Sequence, residues 1–288
     1  MELHYFKGPE KNFGDDLNEW FWDLALPGFR EWNTDVILIG IGTLLNEKRL
    51  AAFRDRKLLI VGAGVGYGGG PPILPLPSGW LFYAVRGPHS ARALGLPTHY
   101  GITDPAVLLP GFAEFQGIET NGMPAFIPHH RSVNRQNWRS ACEEIGMSYI
   151  SPEDHAKTVI KRIAKASYVV TEAMHGAIVA DAFRVPWFPV RIGSQFNEFK
   201  WRDWIDSLSI RGNPSFLHPR INSLSKVFPF ERGKKYQERI RSKIESLFFK
   251  RGLIRCMSTA PLLSDNSVLK SKQKQLRLVL NDVKNAFS

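Results

Sequence analysis

The chain has 288 residues, 43% hydrophobic and 23% charged, a balance that describes a globular protein able to bury a core. Its longest apolar run, residues 36–45, is broken by two glycines and is too short to span a bilayer. Its two cysteines, Cys142 and Cys256, lie far apart without a C-x-x-C partner, which argues against a disulfide framework or a zinc site.

The net charge of +11 is unevenly placed. Residues 226–288 hold 15 Lys/Arg against 5 Asp/Glu, whereas the first 225 hold 23 against 22. The basicity therefore belongs to the C-terminal quarter and says little about the rest. No basic and apolar signal pattern opens the chain, and the expected setting is a reducing cytosol.

Nine short apolar, β-branched or aromatic runs read as strands, at residues 3–6, 36–39, 58–61, 80–84, 98–100, 125–127, 148–150, 168–170 and 187–190. Their alternation with helical or loop segments predicts an α/β fold with parallel sheets. The polar, Gly/Pro-biased stretch from Pro110 to Pro124 reads as a linker. It divides the chain into an N-terminal Rossmann-like domain (1–112), a C-terminal Rossmann-like domain (123–225) and a basic helical extension (226–288). In that extension Tyr236, Ile240, Ile244, Leu247 and Phe248 form one helical stripe. Leu276, Leu280, Val283 and Phe287 form another, with residues 258–271 as a flexible connection between the two.

Several of these strands end in motifs suited to chemistry, as ligands of parallel sheets sit outside the carboxyl ends. Asn12-Phe13-Gly14-Asp15-Asp16 follows the first strand. Asp15 or Asp16 either caps a helix or serves as a base for a sugar hydroxyl. The glycine run 62–70 is not followed by a helical pattern, so it reads as a mobile loop beside a cleft rather than a dinucleotide site.

Arg86, at the end of the fourth strand, suits a planar two-oxygen anion, or else bridges an aspartate. His129-His130-Arg131 follows another strand. Adjacent side chains on an extended chain point opposite ways and no third ligand is spaced to join them, so anion or sugar contact is favoured over a metal. Residues 168–176 read as a strand, a turn and a helix start, placing His175 where anions bind and a proton can be delivered. Its bland alternative is a buried histidine at a helix end. In Phe199-Lys200-Trp201-Arg202-Asp203-Trp204 the tryptophans read as core, with Lys200 adding charge to an anion site.

Together these segments make the chain resemble the polysaccharide pyruvyl transferase family, of the succinoglycan and xanthan ketal type. Six motifs carry the resemblance over about residues 1–210: Asn12-Phe13-Gly14-Asp15-Asp16, Gly40-Ile41-Gly42-Thr43-Leu44-Leu45, Val85-Arg86-Gly87-Pro88, Thr103-Asp104-Pro105-Ala106, Pro128-His129-His130 and Met174-His175-Gly176. It implies two Rossmann-like domains facing across a cleft in a GT-B-like arrangement. It also implies phosphoenolpyruvate as co-substrate, a sugar acceptor, a cyclic pyruvate ketal and free phosphate as products, and neither cofactor nor metal. By this resemblance Arg86 and His175 contact phosphoenolpyruvate.

The expected site is His175 as general acid and Asp15 or Asp16 as base, with Asn12, Gly42, Arg86, His129, His130, Arg131, Met174 and Lys200 binding substrate. Many members carry an arginine two residues before the histidine. Here that position is Ala173, and Lys200, Arg131 or Arg191 is expected to supply the charge. The acceptor implied is a lipid-linked oligosaccharide or polysaccharide. The basic quarter then favours peripheral contact with the anionic inner face of the cytoplasmic membrane, with no nucleic acid. Two other readings stay open: a GT-B glycosyltransferase using a nucleotide sugar, and a basic membrane- or nucleic-acid-binding module. The second explains the last 63 residues but not the strand-end motifs.

Overall fold

The computed structural model describes residues 1–32, 34–66, 75–135, 137–192, 196–211, 247 and 249–288. The strands form two four-stranded sheets, parallel throughout. The first contains β1 (Glu2–His4), β2 (Ile37–Ile39), β3 (Leu58–Val61) and β4 (Trp80–Ala84), in the order β1-β2-β3-β4. The second contains β5 (Ala125–Ile127), β6 (Ser148–Tyr149), β7 (Val169–Thr171) and β8 (Trp187–Pro189), in the order β6-β5-β7-β8.

Strands β2, β3, β5, β7 and β8 are buried at every position. That is why they read as continuous apolar runs: a parallel sheet covered on both faces has no polar side to alternate with. The expected strand at 98–100 is instead a 3-10 turn, Thr98–Tyr100. Pro97 immediately before it has no N–H to give a ladder, and a single parallel bridge from Val85 to Gly101 is all that remains of the pairing.

The helices are α1 (Phe13–Asp16), α2 (Asn18–Ala25), α3 (Glu47–Leu50), α4 (Pro88–Ala93), α5 (Trp138–Glu143), α6 (Ala156–Lys165), α7 (Met174–Ala182) and α8 (Glu198–Ser207). Helix α6 shows the ordinary amphipathic pattern, burying Val159, Ile160 and Ile163 while Arg162 and Lys165 sit in its last turn. Helix α7 differs, being buried on all sides, and its sequence is apolar around the whole circumference. It packs between β7, β8, α6 and the 3-10 turn Pro105–Gly111. The residues expected to link the halves start inside that turn and continue through a second one, Ala113–Phe115, which buries Phe115. One hydrophobic cluster runs from Phe13 and Trp22 through Val107 and Ala177 to Trp187, Trp201 and Trp204.

The order β6-β5-β7-β8 positions the site. From β5 the chain steps outward to β6, then crosses back to β7 on the other side. Loops leaving the carboxyl ends of β5 and β7 therefore diverge and open a crevice, the usual ligand position of an open parallel sheet. His129, His130 and Arg131 leave β5, and Ala173, Met174 and His175 leave β7.

A 22-residue C-terminal helix, Asn266–Phe287, is capped by Asp265 and buries Leu269, Leu276, Leu280 and Val283. The expected stripe is thus the buried face, with Phe287 partly buried at its end. The helix packs on β4 and on the Pro105–Gly111 turn, where Gln273 Nε2 donates to Val107 O at 2.8 Å. Just before it, Leu262 bridges Trp187 in antiparallel pairing at the edge of the second sheet. The other expected stripe lies outside the described residues except for Leu247, which is exposed, and so does the glycine loop beyond Gly66. Among the described residues no helix is long and apolar enough to cross a membrane. Cys142 and Cys256 are both free and buried, and burial pushes each thiol up to about 12.

Candidate active site

A cavity of about 250 Å³ opens at the carboxyl ends of both sheets. Phe6, Asn12, Asp15, Gly42, Thr43, Leu44 and Arg49 line it from the first, and His129, His130, Arg131, Ala173, Met174 and His175 from the second, with Lys200 from α8. The geometry thus gathers nine of the eleven residues read from the sequence as site residues. The two it leaves out are Asp16 and Arg86.

The His175 wall is built by the turn between β7 and α7. Thr171 Oγ1 accepts from the Ala173 N–H at 3.0 Å and donates to the Ala173 carbonyl at 2.9 Å, which fixes the turn. The buried Glu172 carboxylate accepts from the His129 N–H at 3.1 Å and the Ile192 N–H at 2.9 Å, so one side chain ties the loops after β5 and β8 together. Ala173 is the N-cap of α7 and offers no side-chain acceptor, leaving the helix start open toward the cavity. His175 Nε2 lies 3.7 Å from Asp104 Oδ2. Gly14 approaches the ring so closely that a β-carbon there would stand 2.7 Å from His175 Cγ, so this position of the Asn12–Asp16 motif must be glycine.

Next to Gly14 in the same motif, Asn12 caps α1 and its Nδ2 donates to Asp15 Oδ2 at 2.7 Å. Gly42 takes a φ of +131° beside Asp15. Asp16, expected as an alternative base, does not line the cavity. Burial, then the Glu19 and Asp15 charges, push its carboxyl up.

Arg86 also departs from expectation. It is fully buried: Nε donates to Asp203 Oδ2 at 3.1 Å, Nη1 to Thr43 Oγ1 at 2.8 Å and Nη2 to the Val65 carbonyl at 2.6 Å. Asp203 is equally buried and also accepts from the His89 and Ser90 N–H groups at 2.9 and 2.8 Å, capping α4. The strand-end arginine turns inward beneath Gly64, whose missing side chain leaves room for the guanidinium. Arg86 reaches the cavity wall only through Thr43. Asp203, its partner, is buried on α8 together with Trp201 and Trp204, but the tryptophan spacing does not flag it, since neighbours one and two residues apart do not share a helix face.

Among the described residues, the cavity's cations are Arg49, Arg131 and Lys200. Arg49 comes from a short helix with no motif to flag it, and its guanidinium stacks over Phe6 at 4.1 Å. Arg191, expected as a possible replacement for the missing arginine, lies against Phe196 and does not line the cavity. The two adjacent histidines, 4.2 Å apart between ring centres, are neutral. Burial first, and then the neighbouring Lys200, His130 and Arg131, drive His129 down to about 2 by opposing a proton on its ring, and burial chiefly lowers His130. Both rings are therefore hydrogen-bonding groups, not charges. Among the described residues no three His, Cys, Asp or Glu side chains converge to hold a metal ion.

A family model described as polysaccharide pyruvyl transferase matches residues 3–194. The chain is also 42% identical over 214 residues to the succinoglycan biosynthesis protein ExoV of Rhizobium meliloti (strain 1021), a stretch covering 74% of this chain and 67% of that one. No solved structure matches.

Proposed function

The chain belongs to the polysaccharide pyruvyl transferase family and is a transferase, and from that premise we propose that it moves pyruvate from phosphoenolpyruvate onto an exopolysaccharide sugar as a cyclic ketal, releasing phosphate. The observation that carries this reading is the meeting in one cavity of His175, at an uncapped helix start, with Asp15 and with three cations.

Phosphoenolpyruvate is a small trianion at neutral pH and needs several charge-assisted hydrogen bonds. The open N-terminus of α7, Lys200, Arg131 and Arg49 supply them in place of the arginine expected at Ala173. Neutral His129 and His130 add donors and acceptors without adding charge. His175 protonates the methylene carbon, leaving a carbocation-like centre, and one sugar hydroxyl attacks it while Asp15, held by Asn12, accepts the hydroxyl proton. The second hydroxyl then displaces phosphate.

The same reading sets residues 1–112 and 123–225 as two Rossmann-like domains facing across the cavity, GT-B-like, with 226–288 as the extension. Two parallel sheets presenting their carboxyl ends to one cavity, and a last helix that returns to the first sheet, support this. The acceptor is a lipid-linked oligosaccharide or polysaccharide. The lysine- and arginine-rich extension brings the enzyme to the anionic inner face of the cytoplasmic membrane where such a carrier lies, each basic residue near the surface contributing about 1 kcal/mol.

The test is incubation with phosphoenolpyruvate and a lipid-linked oligosaccharide, following phosphate release and the mass of the acceptor. Stoichiometric phosphate and one added pyruvate ketal are expected. Release without acceptor modification, or modification by a nucleotide sugar instead, would sink the reading.

A further inference from the structure

Behind His175 lies a carboxylate that the mechanism above leaves unused. Asp104 precedes the Pro105–Gly111 turn and is completely buried. Its Oδ1 accepts from the Ala106 N–H at 3.0 Å, an ordinary cap. Among the described residues its Oδ2 has no hydrogen-bond partner, and neither has His175 Nε2. These two buried, complementary atoms face each other at 3.7 Å.

A cap alone does not account for this arrangement. Asparagine caps as well as aspartate, without burying a charge. Buried polar atoms are nearly always satisfied, so two orphans meeting across a cavity wall point to a pair that closes in use. The separation is beyond hydrogen-bond range, and catalytic pairs are commonly long until substrate binds. Because Nε2 is sealed against Asp104, the slight exposure left to the ring, 11% of the side chain, lies elsewhere on it. The remaining nitrogen, Nδ1, runs along the Gly14 edge.

We propose that Asp104 is a positioning residue for His175. Its carboxylate takes the Nε2–H, fixes the ring's tautomer and orientation, and leaves Nδ1 to deliver the proton. This rests on the pyruvyl transfer reading. In the step, the Nδ1–H bond breaks and a C–H bond forms at the methylene carbon using the alkene electron pair. The carbocation-like centre is closed by the first hydroxyl oxygen. The imidazole left behind keeps its Nε2–H on Asp104, and the hydroxyl proton restores Nδ1–H through Asp15. The second hydroxyl's proton leaves with phosphate.

Asp104→Asn in the full chain separates this role from the cap. The amide oxygen stays on the Ala106 N–H, and the amide N–H₂ is turned toward Nε2, which must then become an acceptor. Imidazole ¹⁵N spectra, assigned with His175→Gln, are expected to show the neutral ring moving from the Nε2–H to the Nδ1–H tautomer. Turnover is expected to fall about 10²–10⁴-fold, the range for general acid–base groups, with the donor KM little changed and the thermal midpoint preserved. An Asp104→Asn protein that keeps the Nε2–H tautomer and turns over within a few-fold of the parent overturns the proposal, even if His175→Gln is inactive and pyruvyl transfer stands. A tautomer change in a protein with no pyruvyl transfer would uphold the pairing and reject the functional reading instead.

Discussion

Two buried acids lie behind the cavity's lining, Asp203 on α8 against Arg86 and Asp104 against His175, and their surroundings treat them very differently. Asp203 meets Arg86, the Ser90 hydroxyl and two backbone N–H groups, and both of its oxygens are occupied. Asp104 has one oxygen satisfied and the other aimed at an equally unsatisfied histidine nitrogen. Both are 0% exposed. A fully satisfied charged network rigidifies a fold, whereas a buried group left without a partner calls for another explanation, a catalytic role among them. The contrast separates an arginine that holds the scaffold from a histidine available for chemistry, though the sequence offers both as strand-end anion ligands.

The largest expected effect falls on the unsatisfied side. His175→Gln keeps the size and polarity of the side chain but has no titratable proton, and kcat is expected to drop about 10²–10⁴-fold with the thermal midpoint nearly unchanged. Near-normal turnover in that variant would end the comparison, since the open pair would then be merely structural.

On the satisfied side the loss appears as stability. Arg86→Ala strands the Asp203 carboxylate in the core, and the unfolding free energy measured by denaturant is expected to fall by about 3–5 kcal/mol. Replacing both with Met and Leu recovers only part, because the His89 and Ser90 N–H groups lose their acceptor as well. A raised donor KM without lost stability would return Arg86 to the substrate.

The division between these roles was only partly legible in the sequence. Eight of the nine expected strands are present, five of them as continuous apolar runs because parallel strands covered on both faces need apolar residues at every position, while β1, β4 and β6 show through their aromatic and apolar content. The failure at 98–100 was a turn held by its preceding proline. His175 was legible because a strand, a turn and an apolar helix follow one another around it. Between the two readings of Arg86, anion ligand or partner of an aspartate, the local sequence does not choose, because its direction depends on Asp203, more than a hundred residues later, and on the space beneath Gly64. Arg49 carried no local signal at all, since a short helix of mixed charge reads as surface. The pairing of Asp104 with His175 is likewise tertiary: the motifs lie far apart, and the packing of α7 on the Pro105–Gly111 turn brings them together.

Removing one cation from the cavity should have a smaller and more selective effect. Lys200→Ala and Arg131→Ala are each expected to raise the phosphoenolpyruvate KM about tenfold or more, the loss of one charge-assisted hydrogen bond, leaving stability intact. If either variant instead unfolded at lower denaturant with an unchanged KM, that residue would join Arg86 on the scaffold side.

The gentlest test concerns a third buried group, satisfied in its uncharged form. His129 Nδ1 accepts from the Arg131 N–H at 3.3 Å, and with burial and the nearby cations the ring stays neutral down to about 2, far below its ordinary 6.5. Below 6.5 the unfolded chain takes up a proton that the folded ring refuses, so the unfolded state binds more protons and stability falls with falling pH. The loss begins near 6.5 and continues toward 2, with a one-proton slope of at most about 1.4 kcal/mol per pH unit. Denaturant midpoints measured between pH 7.5 and pH 5 (about the range that spans the onset) should therefore decline, and His129→Gln should flatten part of the decline, with lowered His130 retaining the rest. An equal slope in parent and variant would mean that His129 is protonated in the fold. The cavity would then hold one more cation, and its anion site would not depend on Lys200, Arg131 and Arg49 alone.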